Sequence, residues 1–292
     1  MIQIEGLSKK YRGNKWALQD VNLTFSEGMI GLLGPNGAGK STLMRILATL
    51  ASPTTGIATI QGVPLTKADE IRKMIGYLPQ QFQVYPQITG EDYLDYVAIM
   101  KGMKDFRERK AEVAKLLEQV NLVDKAKKKV KTYSGGMKRR LGIAQALLGS
   151  PEVLIVDEPT AGLDPEERVR FRNLLTRFSI GRVVLLSTHI VADIESNCRQ
   201  AAVIDKGHVL FSGDLKQLQQ YGEDKVWEAT VSHEQFALLD PMNVISTHRQ
   251  DEDMVCRVIG TPPEGMRVKY LSPTLEDGYL SLLRGQGEKI YV

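Results

Sequence analysis

The segment "GLLGPNGAGKST", residues 31–42, constrains this chain more than any other. It fits the pattern G-x-x-x-x-G-K-[ST], with Gly34, Gly39, Lys40 and Ser41 at the fixed positions. Glycines let the backbone curl so that successive N–H groups face phosphate oxygens. In such a loop the lysine reaches the β and γ phosphates and the Ser41 hydroxyl ligates Mg²⁺. Pro35, Asn36, Gly37, Ala38 and Thr42 fill out the cradle. The apolar run "GMIGLLG" precedes the loop, and "STLMRILATL", apolar at helical spacing, follows it. A strand, a phosphate-cradling loop and a helix in that order predict an α/β fold.

The remaining segments support this prediction. "VLIVDEP" and "RVVLLSTH" are continuous apolar runs, as in parallel strands covered on both faces. "EERVRFRNLLTRF" between them reads as the crossover helix. "MIQIEGLSKKY" and "ALQDVNLTF" alternate apolar and polar residues, as half-buried strands do. "GIATIQG" reads as a strand between turns, "RKMIGYLPQ" as a strand ending at Pro79, and "AAVIDKGHVLFSG" as a hairpin. From about Thr89 to Leu148 the spacing becomes helical, so a helical insert is expected at about residues 86–150. Beyond Leu218 the character changes again. "KVWEATV" and "DMVCRVIG" read as short strands, and "SPTLEDGYLSLLRG" as a turn and a final helix. The expected organisation is a body over residues 1–218 and a small α+β appendage over 219–292.

Three carboxyl-end residues are candidates for chemistry. Asp157 closes an apolar strand, where it can hold Mg²⁺ through water. Glu158 follows it and can orient and polarise an attacking water. His189 ends "VVLLSTH", and parallel strands deliver their carboxyl ends to one crevice. A second candidate phosphate site lies in "KTYSGGMKRRLGIAQALL", residues 131–148. There Ser134, Gly135 and Gly136 open a helix, whose first N–H groups are free to meet an anion.

Composition excludes several classes. A net charge of +3 over 292 residues does not argue for nucleic acid. The run "KAKKKVK", residues 125–131, reads as a solvated helix end, with lipid or nucleic-acid contact as the alternative. Cys198 and Cys256 match no metal-ligand spacing and read as free thiols in a reduced cytosol. No apolar run approaches the ~18–20 residues that cross a bilayer. The opening residues do not read as a secretion signal.

These motifs resemble the nucleotide-binding subunit of an ATP-binding-cassette (ABC) transporter. "GPNGAGKST" is similar to Walker A, "VLIVDEP" to Walker B, "YLPQ" to the Q-loop with its glutamine at Gln80, "AGLD" to the D-loop at Asp164, and "STH" to the switch histidine. Tyr11 sits where the family stacks an aromatic on adenine, and the resemblance covers about residues 1–218. It implies a P-loop NTPase (RecA-like) core, with ATP and Mg²⁺ as cofactors. It assigns Glu158, His189 and Gln80 to catalysis, and Ser41, Gln80 and Asp157 to the metal. "YSGGM" resembles the family signature, with Tyr133 in place of Leu and Met137 in place of Gln. In that family two domains face head to tail, and the signature of one binds the ATP held by the P-loop of the other. The resemblance therefore explains two phosphate sites in one chain: each is half of a site that needs a second ABC ATPase subunit, in a homodimer or a heterodimer.

The resemblance also implies an integral-membrane permease subunit, with the chain cytoplasmic and peripheral on the inner face of the cell membrane. Phe82 and Tyr85 either anchor that subunit or pack within the insert. "LSPTLEDGYLSLL", residues 271–283, resembles the tail of bacterial ABC-2-type exporter ATPases, with Gly278 where such tails carry a larger residue. Export is therefore the expected direction. The alternatives are an ATPase that regulates a membrane protein without moving solute, and a soluble non-transport ABC ATPase. One cassette and a short helical insert weigh against the soluble one.

Overall fold

Residues 1–160, 163–251 and 253–285 are described in a computed structural model of the protein. A six-stranded sheet forms the centre of the first part, in the spatial order His208–Asp214, Gln200–Asp205, Gly28–Leu33, Val183–Thr188, Val153–Asp157, Ile75–Leu78. The strands from Gln200–Asp205 to Ile75–Leu78 run parallel. Val153–Asp157 and Val183–Thr188 are buried along their whole length, which is why they read as unbroken apolar runs. The register pairs Asp157 with Ser187, and Leu33 with Thr188. Three strands thus end at one level, and the residues just after them share a crevice. The hairpin at the sheet edge turns at Lys206 and Gly207, both with positive φ, the signature of a tight two-residue turn.

A second, antiparallel sheet has the order Trp16–Phe25, Ile2–Lys10, Thr55–Ile60, Val63–Pro64. Its inward residues Ile2, Ile4 and Phe25 share one apolar core with Leu43, Met44 and Leu47 of the helix Lys40–Leu47 and with Ile155 and Leu185 of the central sheet. That packing fixes the helix that opens on the glycine-rich loop.

Between the strands Ile75–Leu78 and Val153–Asp157 run three α-helices, Gly90–Met100, Phe106–Gln119 and Gly135–Leu147. Each begins at a side-chain cap. Thr89, Asp105 and Ser134 accept hydrogen bonds from the N–H groups of Asp92, Glu108 and Met137.

The boundary between two compact units falls between Ser212 and Gly213. In the second unit the antiparallel sheet has the order Val244–Gln250, Asp253–Ile259, Val226–Val231, Lys269–Tyr270. Trp227, Val231, Leu239, Cys256 and Val258 form its core. The Trp227 indole donates to the Gly260 carbonyl at 2.8 Å. The helix Leu215–Gln220, which runs across residue 219, packs against the final helix Leu275–Gly285. Gly278 is the point of contact: a Cβ there would lie 2.1 Å from the Leu218 carbonyl oxygen. The small residue in the tail is therefore a packing requirement of this chain. Asp277 beside it is buried, ion-paired to Arg257, and accepts from the Thr274 N–H at 2.6 Å.

Candidate functional site

The strand Gly28–Leu33 ends at Gly34, and the loop returns to open the helix at Lys40. Gly39 has φ 113°, and a Cβ there would meet the Ala17 carbonyl oxygen at 2.5 Å. Conformation and room both demand glycine. Lys40 is 5% exposed, and its ammonium donates to the Gly34 carbonyl at 2.6 Å and the Pro35 carbonyl at 3.1 Å. Burial pushes the Lys40 pKa down, while the Glu158 and Asp157 carboxylates pull it up. A phosphate entering the loop would meet a desolvated cation already aimed into it.

A cavity of about 430 Å³ opens beside the loop. It is lined by residues 36–42, Tyr11, Lys15, Trp16, Ala17, Gln80 and Glu158. Trp16, 39% exposed, was not among the residues expected from the sequence, and the Lys10 ammonium sits 4.9 Å from its ring centre. Its only sequence signal was an aromatic a few residues past Tyr11. A wider groove of about 730 Å³ adjoins, with Ser41, Gln80 and Asp157 among its lining.

Three strand ends converge on Glu158. Its carboxylate accepts from the Gln80 amide at 2.9 Å and faces His189 Nδ1 at 3.3 Å. Its N–H donates to the Ser187 hydroxyl at 3.1 Å. That hydroxyl donates in turn to the Asp157 carboxylate at 2.5 Å. Ser187 is a site residue the sequence reading missed, because a serine inside an apolar strand gives no pattern of its own. Glu158 has φ 46°, which turns its side chain out of the strand's alternation and toward Gln80 and His189.

The donors available to a cation are the Ser41 hydroxyl, the Gln80 amide oxygen and the Asp157 carboxylate. All are hard oxygen ligands, and few enough to leave places for water and phosphate, as Mg²⁺ prefers. The Gln80 amide nitrogen is turned to Glu158, which leaves its oxygen for the metal.

The signature segment lies apart from this cavity. Ser134, Gly135 and Gly136 are not among its lining residues. Ser134 and Gly135 are exposed at the start of the helix Gly135–Leu147, and the Ser134 hydroxyl accepts from the Met137 N–H at 3.2 Å. Tyr133 is buried, and its hydroxyl donates to the Lys125 carbonyl at 2.7 Å. A Cβ on Gly90 would lie 2.3 Å from that hydroxyl oxygen, so Gly90 makes the room a tyrosine needs here. Asp164 is exposed and caps the helix Pro165–Phe178 by accepting from the Glu167 N–H at 2.9 Å. Ala161 and Gly162 of the D-loop motif lie outside the described residues. The two aromatics just before the insert behave differently. Phe82 packs edge-on to Tyr93 with ring centres 6.0 Å apart, whereas Tyr85 is 82% exposed.

Comparison with known proteins agrees with this fold. Residues 18–161 match the family described as ABC transporter. The "uncharacterized ABC transporter ATP-binding protein YxlF" of Bacillus subtilis (strain 168) is 38% identical over 232 residues, covering 79% of this chain and 77% of that protein. The "Nod factor export ATP-binding protein I" of Burkholderia orbicola (strain AU 1054) is 34% identical over 307 residues and covers 96% of each. A solved ATP-binding cassette, MJ0796, dimeric and bound to ADP and Pi, superposes with a TM-score of 0.68. It is 28% identical and covers 73% of this chain and 98% of that one. The chain belongs to the ABC transporter family and is an ATP-binding subunit with ATPase activity. Among the described residues no helix is long and apolar enough to cross a membrane.

Proposed function

We propose that the chain drives export through a separate integral-membrane subunit. It would do so on the cytoplasmic face of the cell membrane, by hydrolysing MgATP at the interface of a head-to-tail pair of ABC ATPase subunits. The observation that carries this reading is the split between the two phosphate sites. Lys40, Gln80 and Glu158 line one cavity, with His189 against Glu158, while Ser134 and Gly135 at the helix end stand exposed outside it. An exposed helix N-terminus is complementary to a phosphate arriving on another molecule. Two copies of this chain are sufficient, because each carries both halves. Export is supported by a relative named for Nod factor export that matches nearly the full length of this chain.

In this reading the loop N–H groups and Lys40 hold the β and γ phosphates, with Tyr11 and Trp16 beside the base. The Mg²⁺ held by Ser41, Asp157 and Gln80 neutralises phosphate charge when bound. Glu158 orients and polarises the attacking water, and His189 stands beside both Glu158 and the γ-phosphate. Loss of that phosphate removes the contacts that bridge the two subunits, and the pair opens. The test is to purify the tagged chain from detergent-solubilised native membranes and identify what accompanies it by mass spectrometry. A stoichiometric protein with several membrane-spanning helices is the expected result. Recovery only in the soluble fraction, with ribosomes or nucleic acid, would overturn the transport reading.

A further inference from the structure

Arg139 lies on the helix that Ser134 opens and is only 8% exposed. Its guanidinium makes five hydrogen bonds, all to main-chain carbonyls. Nη1 donates to Pro79 at 2.7 Å and Gln80 at 2.9 Å. Nη2 donates to Asp157 and Glu158, both at 2.7 Å, and Nε donates to Pro159 at 3.1 Å. The group has five N–H bonds to give, so the fork is fully used.

The acceptors are the informative part. They come from the end of the strand Val153–Asp157 and from the segments that follow it and the strand Ile75–Leu78, on either side of the Gln80–Glu158 hydrogen bond. Successive carbonyls of a regular strand point in opposite directions, yet those of Asp157 and Glu158 converge on one nitrogen. The left-handed Glu158 lies at that convergence. Such a conformation is sparsely populated for a residue with a Cβ and persists where its surroundings over-determine it. The same backbone turn presents the Glu158 carboxylate to Gln80 and His189. Burial lowers the Arg139 pKa, and the Asp157 and Glu158 charges oppose that.

We propose that Arg139 is a positioning residue for ATP hydrolysis: its guanidinium fixes the Glu158 and Gln80 backbones together and so sets where the Glu158 carboxylate points. This rests on the assignment of Glu158 to the attacking water. Arg139 acts through Glu158 and Gln80, by means of their carbonyls. A methionine side chain there supplies no donor. A lysine ammonium supplies three rotatable donors in place of a planar fork, and holds only part of the set.

The test compares Arg139→Met, Arg139→Lys and Glu158→Gln with the parent, measuring steady-state hydrolysis of MgATP and equilibrium nucleotide binding. Displacing a reacting group by about 1 Å costs roughly 100-fold in rate, so a loss of that order in kcat is expected for Arg139→Met. Nucleotide affinity should stay within about twofold, because the loop and Lys40 are untouched. Arg139→Lys should fall between parent and Arg139→Met, and it carries the test if the methionine variant does not fold. A folded variant with the parent's kcat, or one whose affinity falls as far as its kcat, overturns the proposal. Full activity in Glu158→Gln would instead remove the assignment of the base.

Discussion

At the scale of single residues, the hydrolytic reading stands on Glu158. Glu158→Gln keeps the hydrogen bond from Gln80 within reach but removes the carboxylate that polarises water. A slowdown of about 10²–10⁴-fold is expected with ATP binding retained, read by phosphate release beside equilibrium binding. Two glycines make separate stability predictions. Gly278→Ala drives a Cβ into the Leu218 carbonyl oxygen, a backbone atom that cannot rotate away. Overpacking of this kind costs about 1–3 kcal/mol, measurable by urea denaturation. Gly90→Ala meets the Tyr133 hydroxyl and should displace it from the Lys125 carbonyl. Tyr133→Phe alone should cost about 1 kcal/mol, the usual net value of one such bond. If Tyr133→Phe were as stable as the parent, the hydroxyl would not be what secures that loop.

At the scale of elements, Lys101 joins three of them. It follows the helix Gly90–Met100 and donates to the Leu148 carbonyl at 2.8 Å, just past the helix Gly135–Leu147, and to the Ile75 carbonyl at 3.4 Å, at the start of a core strand. Burial lowers its pKa from 10.5 to about 8. The folded state therefore disfavours the charged form. Between pH 8 and 10.5 the unfolded chain binds the extra proton, so this group's contribution to stability rises with pH across that window. Lys101→Met should remove that rise in a stability-against-pH series, and an unchanged slope would contradict the assignment. Elements were legible in the sequence where burial was uniform or strictly alternating. "VLIVD" and "VVLLST" are strands because both faces are covered, and the loop at 34–42 could only join a strand to a helix. Val244–Gln250 was not legible: its residues after Ile245 are exposed, so it carries no apolar alternation, and only pairing with Asp253–Ile259 defines it. Arg139 was equally silent, since a cation in a basic helix looks solvated until the carbonyls around it are seen.

At the scale of the whole molecule, the proposed function has the chain carry both halves of a nucleotide site without bringing them together. In that reading Lys40 and Glu158 would serve one phosphate, and Ser134–Gly136 would meet another. The most direct test is complementation between two inactive variants. Lys40→Ala destroys the loop half and keeps the signature; Ser134→Arg blocks the signature and keeps the loop, Gln80 and Glu158. Each should be inactive alone. Mixed in equal amounts with MgATP, they can form a pair with one intact composite site. The account predicts that ATPase activity returns on mixing. If the mixture stays inactive while both variants are folded and Ser134→Arg binds ATP, or if Ser134→Arg alone hydrolyses ATP at the parent rate, the two-chain site is contradicted.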